Sequence, residues 1–190
     1  MEINKKPAQR IILRNMQIPY NTDRWQPRNF RGLERIVNNQ LVNREGEKNF
    51  CIFLPQVIDR TINRVDDKVD PETLKEDGWN ISKSENPTDS MDEPSYMLRV
   101  KVKYHPAGSD LERLNPKVLI CNQNGEMEMD EENIGDLDNA QIIKANLTIR
   151  ATWCSSPGYT GYVAYLEKIV VRVYEDEGSL EDLKDGIMDD

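Results

Sequence analysis

Tyr96-Met97-Leu98-Arg99-Val100-Lys101-Val102-Lys103-Tyr104 alternates along its whole length. Tyr96, Leu98, Val100, Val102 and Tyr104 share one parity, and Met97, Arg99, Lys101 and Lys103 share the other. Alternation with β-branched and aromatic residues predicts a strand with one face in a core. A strand rises about 3.3 Å per residue, so the three cations stand about 6–7 Å apart on the other face. That spacing is near the spacing of phosphates along a nucleic-acid strand. It equally suits a solvated edge strand, whose lysines discourage wrong pairing.

The composition leaves both readings open. A chain of 190 residues is long enough for one sizeable domain with loops to spare. At 37% hydrophobic and 31% charged residues it favours a small β core with polar excursions. The net charge of −9 argues against nucleic acid only while its distribution is ignored. Residues 1–50 hold ten Lys/Arg and five Asp/Glu, whereas residues 175–190 hold eight acids and only Lys184. Glu126 to Asp138 holds seven acids and no base. Local patches of this kind decide what binds.

Working outward, Arg10 to Ile18 reads as a first strand ended by Pro19, after an arm over 1–9. Trp25-Gln26-Pro27-Arg28-Asn29-Phe30-Arg31-Gly32 interleaves cations with aromatics. Arg28 and Arg31 can pair with phosphate and Phe30 can offer a stacking face, or Trp25 and Phe30 plug the core of an ordinary loop. Asn43 to Lys48 reads as a turn into the buried strand Asn49–Leu54. Two short helices are predicted next, one over about Gln56 to Val65 and one from Pro71 to near Gly78, capped by Asp70. Residues 82–95 read as loop. Later strands are expected at Lys117–Cys121, before an Asn124-Gly125 turn, at Asn146–Cys154, and at Tyr162–Tyr174 with a bulge near Glu167. Residues 155–161 read as loop, and the acidic stretch 126–138 as solvent-facing. Several strands around a short helical connection predict a small β-barrel or sandwich.

Enzyme chemistry finds little footing. His105 is the one histidine, which excludes a His-based triad and a multi-His metal site. No phosphate-cradling glycine motif is present, and the acidic run lacks calcium-loop spacing. Cys51, Cys121 and Cys154 read as buried free thiols of a reducing compartment. No apolar run is long enough to span a membrane, and Met1 to Arg10 has no signal-peptide core. No enzyme, metal or cofactor is expected.

Several stretches taken in order carry a resemblance. They are Arg28-Asn29-Phe30-x-Gly32, Asn43-Arg44-Glu45-Gly46-x-Lys48-Asn49-Phe50, Leu74-x-x-Asp77-Gly78-Trp79-Asn80-Ile81, and Leu98-x-Val100-x-Val102. They continue with Pro116-Lys117-Val118, Leu137-Asp138-x-Ala140-x-Ile142, Leu147-x-Ile149-Arg150, Trp153, and Gly158-x-x-Gly161-x-x-Ala164-Tyr165-Leu166. From about Arg28 to Asp176 the chain resembles the bacteriophage single-stranded DNA-binding proteins of OB-fold type. Lys48 stands where the family often has Arg, and Ala151 where it often has Pro. The resemblance implies an all-β fold with one or two short helices: an OB-fold-like five-stranded Greek-key barrel over 10–174, with long loops. It implies sequence-independent binding of single-stranded DNA in phage replication or recombination, in the cytoplasm of a bacterial host. Arg28, Arg31, Arg44, Lys48, Arg99, Lys101, Lys103 and Arg150 are the expected phosphate partners, and Phe30, Trp153, Tyr159 and Tyr162 the expected stacking residues. Trp153 shares parity with Leu147 and Ile149, which also suits a core position.

The tail, 175–190, alternates acids with Leu180, Leu183, Ile187 and Met188. Glu175, Asp176, Glu177, Glu181, Asp182, Asp185, Asp189 and Asp190 would compete with DNA for a cationic groove, or dock replication or recombination proteins. A solubilising disordered tail has the same composition. A homo-oligomer is compatible with all of this. The reading of a different class is a β-rich structural or adaptor protein of a virion, with the cationic strand as plain surface.

Overall fold

Alternating strands and tight turns build most of the chain. The computed structural model describes residues 6–19, 28–84 and 94–174. The predicted first strand is β1 (Gln9–Met16), and β2 (Arg35–Val37) and β3 (Gln40–Asn43) form a separate small hairpin. β4 (Lys48–Phe53) is the buried strand foreseen at 49–54.

The helix expected over 56–65 is a β-hairpin, β5 (Ile58–Ile62) with β6 (Val65–Val69). Asn63 and Arg64 both take left-handed φ, 51° and 67°, which is the geometry of a two-residue hairpin turn. Ile58 and Arg60 point inward, and Arg60 donates to Asp67 (2.8 Å), Asp77 (2.6 Å) and Gln9 (3.4 Å). Gln9 also accepts from the Trp79 indole at 3.0 Å, so one buried guanidinium ties the hairpin to β1 and the helix.

The second expected helix is present as α1 (Pro71–Asp77). Asp70 caps it by accepting from the Thr73 N–H, and Gly78 ends it in the left-handed region, φ 111°. Residues 82–84, expected in a loop, belong to β7 (Ile81–Ser84), and 85–93 lie outside the described residues.

The opening stretch is β8 (Ser95–Val102), with Tyr96, Leu98, Val100 and Val102 buried as the alternation predicted. Met97 is also buried, because Phe53 of β4 and Ser82 of β7 pair with it on either side. β9 (Lys117–Asn122) and β10 (Gly125–Met129) form the hairpin around Asn124-Gly125. Part of the acidic stretch is therefore strand, with Glu126 and Glu128 exposed and Met129 buried. Ile134 and Leu137, in a 3-10 turn over Ile134–Asp138, also enter the core. Asp138 turns inward and accepts from the backbone N–H of Phe30 (2.6 Å) and Arg31 (3.2 Å).

β11 (Ile142–Ser156) and β12 (Tyr159–Val173) are a 15-residue pair. The loop expected over 155–161 shrinks to a tight turn, because both strands run almost to its tip. Thr148 pairs with Lys168 while Ile149 pairs with Leu166, so Glu167 is the extra residue of the predicted bulge. The bulge switches parity: Tyr162, Ala164 and Leu166 point inward before it, and Ile169 and Val171 after it.

The mostly β class and the short helix are as expected. Ten strands, twice the five expected, join in one mixed sheet in the path β10-β9-β12-β11-β1-β5-β6. β8 joins β12 in parallel beside β9 and carries β4 and β7. This is an open path: among the described pairings none closes the sheet into a barrel. The long bulged pair is the spine, and its inner side packs Leu147, Ile149, Leu166 and Ile169 into one core with Ile11, Phe50, Ile52 and Val100.

Candidate nucleic-acid interface

The outward parity of β8 sets the site. Lys101 and Lys103 are exposed and Arg99 half-buried, and Lys101 lies beside Tyr165 of β12 in the parallel pair. Tyr165 pairs in turn with Arg150 of β11, whose guanidinium carbon sits 5.5 Å from the Tyr165 ring centre. Inward Ala164 and Leu166 force Tyr165 to the outside.

Three grooves meet on this face. The first, about 370 Å³, has Lys48, Asn49, Arg99, Lys101, Lys103 and Tyr165 among its walls. The second, about 190 Å³, continues past Lys103 and Tyr165 to His105, Arg150 and Thr152. The third, about 330 Å³, starts from Arg99 and Lys101 and reaches Cys154, Tyr159, Tyr162 and Val163. Shared residues make one path along β8, lined by five cations.

The expected site residues divide. Lys48, Arg99, Lys101, Lys103, Arg150, Tyr159 and Tyr162 line the grooves. Tyr162 is only 3% exposed and donates its hydroxyl to the Pro7 carbonyl, while the Tyr159 hydroxyl donates to the Tyr162 carbonyl. Arg31 and Arg44 are exposed on two turns joined by the Gly46 N–H to the Gly32 carbonyl, 2.7 Å. Those turns meet so closely that a Cβ on Gly32, itself at φ 72°, would stand 3.0 Å from the Gly46 carbonyl carbon. Lys48 reaches the same corner, its ammonium 3.5 Å from the Arg31 carbonyl.

Arg28 and Phe30 lie elsewhere. Arg28 is buried and donates to the carbonyls of Ile18, Leu137 and Ala140. Phe30 is fully buried and stacks on Phe50 with ring centres 5.0 Å apart. Trp153 is half-buried, edge-on to Tyr162 at 5.0 Å, with the Lys6 ammonium 4.5 Å from its ring centre. Residues 6–9 of the expected arm are thus in contact with the domain, whereas Trp25 and the acidic tail lie outside the described residues.

Tyr165 is the residue that sequence reasoning missed, although its parity against Ala164 and Leu166 was a usable signal. Electrostatically the path is cationic at β8 and bordered by acids beyond Tyr104. Burial, then Glu131, Asp130 and Glu128, push the Tyr104 hydroxyl up to about 12. Burial also pushes the Cys51 thiol up, with Arg99 opposing. Among the described residues no group of three or more His, Cys, Asp or Glu side chains is placed to hold a metal ion.

A family model described as "Putative phage ssDNA-binding domain" matches residues 6–183. No curated protein and no solved structure matches the chain. The match spans nearly the whole sequence and includes every strand described above, so the chain belongs to the phage ssDNA-binding domain family.

Proposed function

We propose that the protein binds single-stranded DNA without enzymatic activity, along the path formed by the three grooves. One observation carries the reading: Arg99 and Lys101 project from β8, and Lys103 from the residue just past its end, onto a concave surface that also holds Arg150 and the outward ring of Tyr165. Cations at strand spacing track a phosphate backbone, and an aromatic platform accepts any base, so the binding is largely independent of sequence. Lys48, with Arg31 and Arg44 at the adjoining corner, extends the phosphate track, and Tyr159 lies at the far end. Arg28, Phe30 and Trp153 support this surface from within.

The OB-type architecture is part of the same proposal. The bulge at Glu167 and the register shift between Ile142 and Lys144 supply the coiling that a curved binding sheet needs. The acidic tail competes for the groove or docks replication or recombination proteins, on charge alone. On this reading the protein works in the cytoplasm of a phage-infected bacterium. Among the described residues no helix is long and apolar enough to cross a membrane.

Titrating the full chain with oligo-dT at two salt concentrations tests the proposal. Binding that weakens as salt rises supports it. Absence of binding at low salt favours the structural or adaptor reading instead.

A further inference from the structure

The β2–β3 hairpin stands apart from the ten-stranded sheet: among the described pairings its strands form a ladder only with each other. Of the eleven large hydrophobic residues exposed among the described residues, Leu33, Ile36, Val37 and Leu41 lie on or beside it. Ile36 and Leu41 pair across the ladder and are 61% and 51% exposed. A two-stranded hairpin with apolar side chains gains stability when further strands or an apolar surface pack on it. Its base is fixed in place. There the Asn43 side chain donates to the carbonyls of Leu33 (2.8 Å) and Glu47 (3.0 Å) and accepts from the Asn49 amide (2.8 Å). The exposed apolar residues therefore ride on a held support.

Charge decides what fits there. From Ile36 to Asn43 the sequence is Ile-Val-Asn-Asn-Gln-Leu-Val-Asn, with no charged residue, although 31% of the chain is charged. On the flanks Glu34 and Glu45 cancel Arg35 and Arg44, so residues 34–45 carry no net charge. A nucleic-acid strand or an acidic segment gains nothing from charge on such a strip. A second copy of the same strip meets no like-charge repulsion. The two ends of the main sheet differ: β6 carries Asp66, Asp67 and Lys68, and β10 carries Glu126 and Glu128. Charges of that kind discourage edge pairing between copies, and the hairpin strands lack them.

We propose that the hairpin is a self-association surface, at which two copies of the chain meet about a two-fold axis with Ile36 and Leu41 of each packed together. A two-fold makes a surface its own partner, so one neutral apolar patch is enough. Val42 of the same hairpin walls the first groove, so the dimer holds two such grooves in one particle. The inference stands independently of what the grooves bind.

Sedimentation equilibrium of the full chain without DNA, over a range of protein concentration, tests it. The average mass should rise from the 22.0 kDa of one chain towards twice that value. Ile36→Lys and Leu41→Lys should each weaken dimerisation about tenfold or more, by setting like charges against each other across the axis. Both side chains are exposed, so the thermal midpoint should stay near the parent's. Ile36→Thr keeps the β-branch that suits a strand and should weaken dimerisation less, without risk to the fold. Met127→Lys, at an exposed apolar residue of β10, should leave the mass unchanged. A single-chain mass at every concentration, a dimer that survives the Ile36 and Leu41 variants, or an equal loss in Met127→Lys would overturn the inference.

Discussion

Trp153 and Tyr165 lie on neighbouring strands and face opposite ways. The Trp153 indole is edge-on to Tyr162 and directly beneath Gly78, whereas Tyr165 carries Arg150 on the groove side. Truncating a fully buried Phe or Trp costs about 3–5 kcal/mol. For half-buried Trp153, Trp153→Ala should cost about 2–3 kcal/mol and be read as a lower thermal midpoint. Tyr165→Ala should leave the midpoint almost in place and weaken ssDNA binding by the 1–3 kcal/mol of about one stacked base. Calorimetry and an oligo-dT titration on both variants check the pair, and a reversed pattern would exchange their roles. Arg28 and Phe30 carry the same lesson. An Arg-aromatic alternation is a DNA signature only if the side chains face out, and here three backbone carbonyls and Phe50 hold them inside.

At the scale of elements, α1 and the long hairpin meet at one point. Gly78 ends the helix at φ 111°, and its carbonyl accepts from the Tyr162 N–H at 2.8 Å. A Cβ there would lie 2.9 Å from Cζ3 of Trp153. Gly78→Ala therefore meets left-handed strain and a clash together, and should lower stability by about 1–3 kcal/mol. Chemical denaturation measures this directly, and an unchanged midpoint would mean that the indole moves aside freely. The helix was legible because Asp70, Pro71 and Gly78 each have a local physical reason to cap, start and stop it. β8 was legible for the same kind of reason, its period of two. Residues 56–65 were not, because Ile58, Ile62 and Val65 also fit one helical face and Asn63-Arg64 lacks the glycine that usually marks a hairpin turn. The β2–β3 hairpin hid in the same way, behind Asn38 and Asn39 at φ 52° and 64°. Asparagine tolerates that conformation without announcing it. The grooves were legible only as a row of cations, since the approach of β4, β8, β11 and β12 depends on pairings distant in sequence.

For the molecule as a whole, charge segregation outweighs the net value of −9. Residues 175–190 carry eight acids against one base, tethered directly after β12. A tethered segment meets a nearby groove at high effective concentration. On the proposed reading, the tail's attraction to the groove is screened beyond about 10 Å at 0.1 M salt. Deleting 175–190 should therefore tighten ssDNA binding at low salt, by a margin that shrinks as salt rises, with the thermal midpoint nearly unchanged. Weaker binding after truncation, or loss of the fold, would show the tail to be part of the domain. Phosphate binding by the cations along the outward side of β8 and just past its end is read from the salt dependence of oligo-dT affinity. Each phosphate contact to a single strand contributes about 0.7 to the slope of log affinity against log salt. Replacing Arg99, Lys101 and Lys103 together by alanine should weaken binding and flatten that slope by about 2. A triple variant that stays folded and keeps the parent's slope would show these cations to be plain solvated surface, with phosphate bound elsewhere.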